Sequence, residues 1–436
     1  MTLSSSSAVR PPIANLRWWI AALLFASMVI NYVDRQTISA LAPVFKQSYE
    51  WTDADFAWLL ISFRVGYTIM QAVAGRLLDW LGTRRGLAWS VTFYSLVAAA
   101  TATVQTMAGF GACRFLLGAG EAANWPGAIK ASSEWFPPQE RAWAVALFDG
   151  GTALGGAVVA LVAMGIYQVF GDWRPVFVLT GSLGAVWVVV WLACYRPPRQ
   201  HPRIAPEELR HIEAGQDASS DSESAPSTVG WRELLSRRQM WGLMLGRFLL
   251  DPYWFFVSEW FPLYLYAQGF SLEQSILGAI GPQLASVAGN FAGGALSSQL
   301  IRHGWPVGRS RRFVLGLFGP SMLVLALALG TSSYPLLLAL FSYANFAYAA
   351  CSTMFLALPA DVFQSRAVAS ASGLGGTAAG VGTLISTYLI GQVADRHSFE
   401  PVVLAASVIP LLAVTVFITL VRAPAQRDPR RMVLDF

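Results

Sequence analysis

Apolar residues in this chain fall in blocks too long for the amphipathic helices of a soluble protein. Runs long enough to cross a bilayer recur about twelve times. They cover roughly 18–41, 55–78, 86–107, 109–131, 142–169 and 175–195, then 239–265, 272–301, 313–331, 334–359, 367–392 and 400–421. Between the halves lies 196–238, where SSDSESAPS reads as a mobile polar linker and PEELRHIEAG as a short amphipathic helix. The pattern predicts an all-α integral membrane protein. Residues 1–195 form one six-helix bundle, 196–238 a linker, and 239–436 a second six-helix bundle with a polar tail.

Composition agrees with that division. Of the 436 residues, 55% are hydrophobic and 13% charged, and the mean hydropathy is +0.49, the profile of a polytopic membrane protein. The net charge of +5 is no nucleic-acid signal, because the basic residues sit in short loops between apolar runs. Cys113, Cys194 and Cys351 all fall in predicted spans, where a small buried thiol is ordinary. The amino-terminal tail lacks a small-residue cleavage site after its first apolar run, so that run reads as a retained first helix.

Lysine and arginine set the orientation. With both termini cytoplasmic, the outer loops hold only Lys46, Arg174 and Arg396 of the 30 basic residues. Arg35, Arg64, Arg114 and Arg247 lie within spans, and all the others fall inside.

The halves also repeat. ERAWAVALFDGGTALGG from Glu140 aligns with SRAVASASGLGGTAAGVG from Ser365, placing Arg141 over Arg366 and Gly150-Gly151-Thr152-Ala153 over Gly375-Gly376-Thr377-Ala378. An even number of spans separates the copies, which gives both the same topology, as in transporters built from parallel repeats. The glycines stand at spacings that let helix backbones approach and slide.

Charge inside a span points to chemistry. Arg114 and Glu121 are seven residues apart on one predicted helix, so their side chains share a face about 10 Å apart. A charge at the bilayer centre costs about 2.5–3.5 kcal/mol on insertion scales. That cost is tolerated where the charges face partners or a watery cavity. A functional site is the leading reading, and a structural ion pair between helices the plainer one.

The loop GRLLDWLGTRRG, from Gly75 to Gly86, carries small residues for tight packing, with Asp79 placed to cap a helix or pair with an arginine. With twelve spans and a parallel repeat, it resembles the inner-loop motif of the major facilitator superfamily through Gly75, Asp79, Gly82, Arg84 and Arg85, with Thr83 where an arginine is usual. GGALSSQLIRHGWPVGRSRR, after the eighth span, resembles a second copy with Gln299 where an acid is expected. NYVDRQTISALAP, EAANWPGAIKASSEWFP, RFLLDPYWFF and ADVFQSRAVAS narrow the resemblance to the anion:cation symporter family, and within it to hexuronate transporters. The likeness implies proton-driven uptake of an organic anion, typically a sugar acid, across a bacterial inner membrane.

A carboxylate substrate calls for the planar, permanently charged fork of arginine. Arg35 and Arg114 are the expected binders, with Asp34 orienting Arg35. Arg64, Tyr67 and Gln71 share a face of the second span. The family likeness makes Tyr67 a hydroxyl contact, and Arg64 and Gln71 join it in the expected binding set, although the likeness does not lead to Arg64, which is equally able to pair with an acid on a neighbouring helix. Asn124 joins the binding set. Gln283 and Asn290, seven apart on the eighth span, serve either as hydrogen-bonding groups or as links between helices. Glu121 is the expected proton-coupling acid, with Asp34 as the alternative, and Glu140 and Arg141 join the loop glycines as gating elements.

The second half departs from the hexuronate pattern. Tyr348, Ala349 and Met354 stand where a His-Gln pair and an asparagine are expected, and Asp149 and Glu259 are acids in place of neutral residues. Asp251, one turn after Arg247, reads as its local ion-pair partner. The thinner polar lining admits an anion with fewer hydroxyls or an aromatic carboxylate as the alternative substrate, and exchange or uniport as the alternative to symport.

Other functions fit poorly. His201, His211, His303 and His397 lie in loops or at span ends, which leaves no intramembrane metal cluster or histidine base for an enzyme. Paired arginines argue against an exporter of cations, and the chain has no room for a sensor's signalling domain. The expected partners are a small organic anion, protons and the lipid bilayer, with no nucleic acid, no metal and no cofactor beyond the proton gradient, in a monomer.

Overall fold

The computed structural model describes residues 11–214, 229–278, 280–396 and 399–421. The first ten residues, the SSDSESAPS run, His397 and the carboxy-terminal tail lie outside them. The architecture is all-α, as expected, and an isolated bridge between Ile13 and Ile204 is the one piece of extended pairing among the described residues. In the first half the principal helices are α1 (Leu16–Ala40), α2 (Asp53–Leu81), α3 (Thr83–Ala100), α4 (Met107–Glu121), α5 (Asn124–Trp135), α6 (Pro138–Phe170) and α7 (Arg174–Cys194). A short helix, α8 (Pro206–Glu213), precedes the second half, which contains α9 (Arg238–Leu250), α10 (Ile280–Arg302), α11 (Val307–Ser321), α12 (Tyr334–Val362), α13 (Val368–Arg396) and α14 (Glu400–Leu420).

Every predicted span coincides with helix, but not every one is a single rod. Eight of the described helices are long and apolar enough to cross a membrane by length and composition. Two of the remaining predicted spans, the fourth and the seventh, are broken among the described residues, and proline explains both breaks. Pro126 has no N–H to donate and its ring crowds the carbonyl of Ala122, so the fourth span breaks there and Glu121 closes α4. Pro252 and Pro262 act likewise on the seventh span, where Phe256–Trp260 runs as a π-helical turn. At other ends the caps are local. Thr52 and Asp55 form a capping box at α2, and Gly171 ends α6 with a left-handed φ of 67°.

Each half has its own apolar core, the first drawn mainly from 13–212 in two clusters and the second mainly from 229–421. They meet along α2 against α13 and α6 against α10. On the face where α8 lies (the linker face), backbone touches backbone. A Cβ at Gly75 would strike the Ala369 carbonyl, and one at Gly373 the Gln71 carbonyl. The Thr377 hydroxyl inserts into the ladder of α2, donating to the Thr68 carbonyl at 2.8 Å and accepting from the Ala72 N–H at 3.1 Å.

The α8 helix is bound to the first bundle. The Glu208 carboxylate accepts the N–H groups of Leu16 and Arg17 at 3.0 and 3.1 Å, so an acid nearly two hundred residues away caps α1. Arg17 bridges Glu208 and Glu140 at 2.9 and 2.8 Å, and His211 contacts Glu140 at 3.1 Å. Ile212 is fully buried beneath. A Glu208→Gln variant should lose about 1 kcal/mol of stability, read as a lower melting midpoint of the purified protein. Glu207→Gln, on the exposed side of the same helix, should leave the midpoint unchanged.

Candidate substrate site

Arg35 stands in the second half of α1, and three rings enclose its guanidinium. The guanidinium carbon lies 4.6 Å from the Tyr32 ring centre, 4.7 Å from Tyr67 and 5.0 Å from Phe63. Such an aromatic box holds a cation without neutralising it. Within it, Arg35 Nε donates to Glu121 Oε2 at 2.9 Å and a terminal nitrogen donates to Asn31 Oδ1 at 3.1 Å. The break at Pro126 makes this meeting possible, because it leaves Glu121 at the end of α4, facing α1.

Arg114 lies on α4, two turns before Glu121. It donates to the Arg35 carbonyl at 3.1 Å and stacks at 4.7 Å over the Phe63 ring. Among the described residues its Nε has no hydrogen-bond partner, nor has Glu121 Oε1, and both are buried. The site thus pairs two guanidinium groups with one hydrogen-bonded carboxylate, and the Nε side of Arg114 is the edge that a carboxylate grips bidentately.

Asp34 does not orient Arg35. The two side chains leave α1 in different directions, and Asn31 and Glu121 take the orienting role. Asp34 is 2% exposed, and among the described residues neither of its oxygens has a hydrogen-bond partner. The Tyr94 hydroxyl, within electrostatic reach, is also unpartnered.

The remaining predicted residues are dispersed. Tyr67 belongs to the box, whereas Gln71 is buried at the seam, its amide against Gly376 of α13. Asn124 is fully buried and donates to the Ser27 carbonyl at 3.3 Å, pinning the broken span to α1. Gln283 donates to Ser258 at 3.0 Å. Asn290 donates to Asp149 Oδ2 at 2.6 Å and accepts from Thr353 at 3.1 Å, a polar bridge between the halves. Arg64 pairs with Glu259 of the π-helical turn and lies over the Phe255 ring. Arg247 and Asp251 form the expected local pair at 2.6 Å. Tyr348, at a position expected to be polar, stacks on Tyr253 and Trp254.

The gating elements gather at the linker face. Asp79 accepts the Ser370 N–H at 2.8 Å in the first turn of α13, so it caps a helix of the other half. Lys130, which the sequence reading did not single out, secures Asp79 at 2.7 Å. It lies in the same run as Glu121, and a lone lysine within an apolar span was the available signal. Arg141 donates to the Ala360 carbonyl and to Asp361 at 2.8 and 3.1 Å. Arg311, also not singled out, reaches Asp361 at 3.0 Å and the Pro138 carbonyl at 3.2 Å. Arg84 bonds to the Leu192 carbonyl within its own bundle, and Arg85 is exposed. Gly82, with φ 76°, makes the turn between α2 and α3.

Known proteins place this geometry. Residues 24–387 match the model of the Major Facilitator Superfamily. The hexuronate transporter of Escherichia coli (strain K12) is 33% identical over 94% of this chain and 95% of its own length. The galacturonate transporter of Dickeya chrysanthemi is 35% identical over 65% of this chain and 81% of its own. A probable galactarate/D-glucarate transporter of E. coli (strain K12) is 30% identical over 69% and 70%. Among solved structures, the proton:xylose symporter bound to 6-bromo-6-deoxy-D-glucose superposes with a TM-score of 0.74 at 15% identity, over 94% of this chain and 96% of that one. A superfamily transporter in the outward conformation gives 0.65 at 17%, over 93% and 98%. This multi-pass membrane protein is a transporter and not an enzyme, and it belongs to the Major Facilitator Superfamily.

Proposed function

We propose that the chain is a proton-coupled symporter of a sugar acid, a hexuronate or a near relative, in a bacterial inner membrane with both termini cytoplasmic. The linker face is then the cytoplasmic face, and residues 1–195 and 239–436 rock about the site as a monomer, joined by 196–238. The observation that carries this reading is the Arg35–Glu121 bond inside the aromatic box. The edge of Arg35 that a substrate carboxylate needs is the edge Glu121 now occupies. An arriving anion takes Arg35 and the Nε side of Arg114, and Glu121 loses its cationic partner. A carboxylate left without a counter-charge in a buried site accepts a proton. Anion binding and proton binding therefore favour each other, by the reciprocity of linked equilibria. The loaded site carries less net charge through the occluded state than anion and ionised Glu121 together would. Asp34, buried with no partner, is the alternative seat for the proton.

Two expectations test this. Arg114→Lys keeps the charge but not the planar fork, so uptake of labelled galacturonate into cells or proteoliposomes should be nearly abolished. Wild-type affinity in that variant would remove Arg114 from the binding set. Glu121→Gln mimics the protonated acid and should still bind and exchange galacturonate across the membrane while losing accumulation driven by a proton gradient. Gradient-driven accumulation that survives in Glu121→Gln and disappears in Asp34→Asn would move coupling to α1.

A further inference from the structure

Arg64 is the charge the sugar-acid reading leaves unused. It lies on the side of the seam away from the linker face. The other hydrogen bonds described between the halves involve Thr68, Asp149 or residues nearer the linker face. Beyond them, α2 meets the seventh span through Arg64 and Glu259. This pair is also the most exposed of the ion pairs described within the spans. Its side chains are 28% and 35% exposed, against 19% and 0% for Arg35–Glu121 and 5% and 0% for Lys130–Asp79. A pair enclosed this little by protein is freer to exchange partners than a buried one.

Position gives that exchange a purpose. Arg64 precedes Tyr67 by three residues, so its side chain emerges about one turn, 5 Å, away on the same face of α2. The Tyr67 ring lies 4.7 Å from the Arg35 guanidinium. A ligand held at Arg35 and extending along α2 past Tyr67 therefore reaches Arg64. Glu259 stands on a π-helical turn of the opposite half, so its hold on Arg64 cannot survive separation of the two halves there.

We propose that Arg64 is a second carboxylate-binding arginine that selects sugar acids with a carboxylate at both ends, Glu259 occupying it until such a dianion arrives. The proposal rests on the sugar-acid reading and refines it. The first carboxylate displaces Glu121 from Arg35, the second displaces Glu259 from Arg64, and the substrate bridges the two arginines along α2. A monocarboxylate such as a hexuronate satisfies Arg35 and leaves the Arg64–Glu259 pair intact. The same pair, re-formed after release, ties the halves together on the side away from the linker face.

Binding of galactarate and galacturonate to purified protein, by thermal shift and by competition, tests the proposal. Wild type should bind galactarate at least tenfold tighter than galacturonate. Arg64→Gln should lose at least tenfold for galactarate and less than twofold for galacturonate, and Glu259→Gln should tighten galactarate alone. Should Arg64→Gln fail to fold, Arg64→Lys, which keeps the charge without the fork, should show the same selective loss to a lesser degree. Equal or tighter binding of galacturonate by wild type, or equal weakening of both acids by the Arg64 variants, would overturn the proposal and leave the sugar-acid reading standing. Failure of both acids to bind wild type would overturn both.

Discussion

The structure depends on where a permanently charged guanidinium can be kept inside an apolar bundle. Arg35 cannot shed its charge, so its surroundings must supply both an anion and a frame. Tyr32, Phe63 and Tyr67 are the frame and Glu121 is the anion. Glu121 is available because Pro126 stops α4 one turn later, and the break keeps its place because Asn124 is tied to the Ser27 carbonyl of α1. Arg114 then holds the Arg35 carbonyl, so one buried cation helps to position the other. A proline, an asparagine and three rings far apart in sequence thus serve one charge.

The seam between the halves works by a different rule. Its linker side uses glycines where α2 and α13 touch backbone to backbone, so little side-chain packing is lost when they part. Its polar contacts are borrowed across the seam. Asp79 caps a helix of the other half, and Asp361, held by Arg311 of its own half, accepts from Arg141 across the seam. The bonds that cross the seam fit this relative position of the halves, so parting the halves there breaks them.

Much of this was legible in the chain. Apolar blocks marked all twelve spans, and the Glu140 and Ser365 repeats marked the glycine-rich faces. The arginines within spans marked the site. Pairing was less legible. Asp34 is adjacent to Arg35 in sequence, yet a helix turns consecutive side chains about 100° apart, and the partner proved to be Glu121 on another helix. Gln71 shares a helical face with Tyr67, but four residues carry it past the site and into the seam with Gly376. Lys130 and Arg311 were missed because a helical face shows that a charge is buried without showing what lies opposite. The acids at 149 and 259 stood out as departures. Asp149 and Glu259 turn out to have partners, Asn290 and Arg64, in the opposite half, which one sequence cannot align.

The cap that Asp79 places on α13 bears on how the carrier waits between cycles. It belongs to the free energy of one conformer, the one closed at the linker face, and so it weights the resting population toward molecules closed there. A ligand approaching from that face meets only the minority open to it, and its apparent dissociation constant rises by the inverse of that fraction. One approaching from the opposite face meets the majority. On the proposed reading Arg35 and Arg114 therefore show two different apparent affinities, set by a carboxylate at the far end of α2.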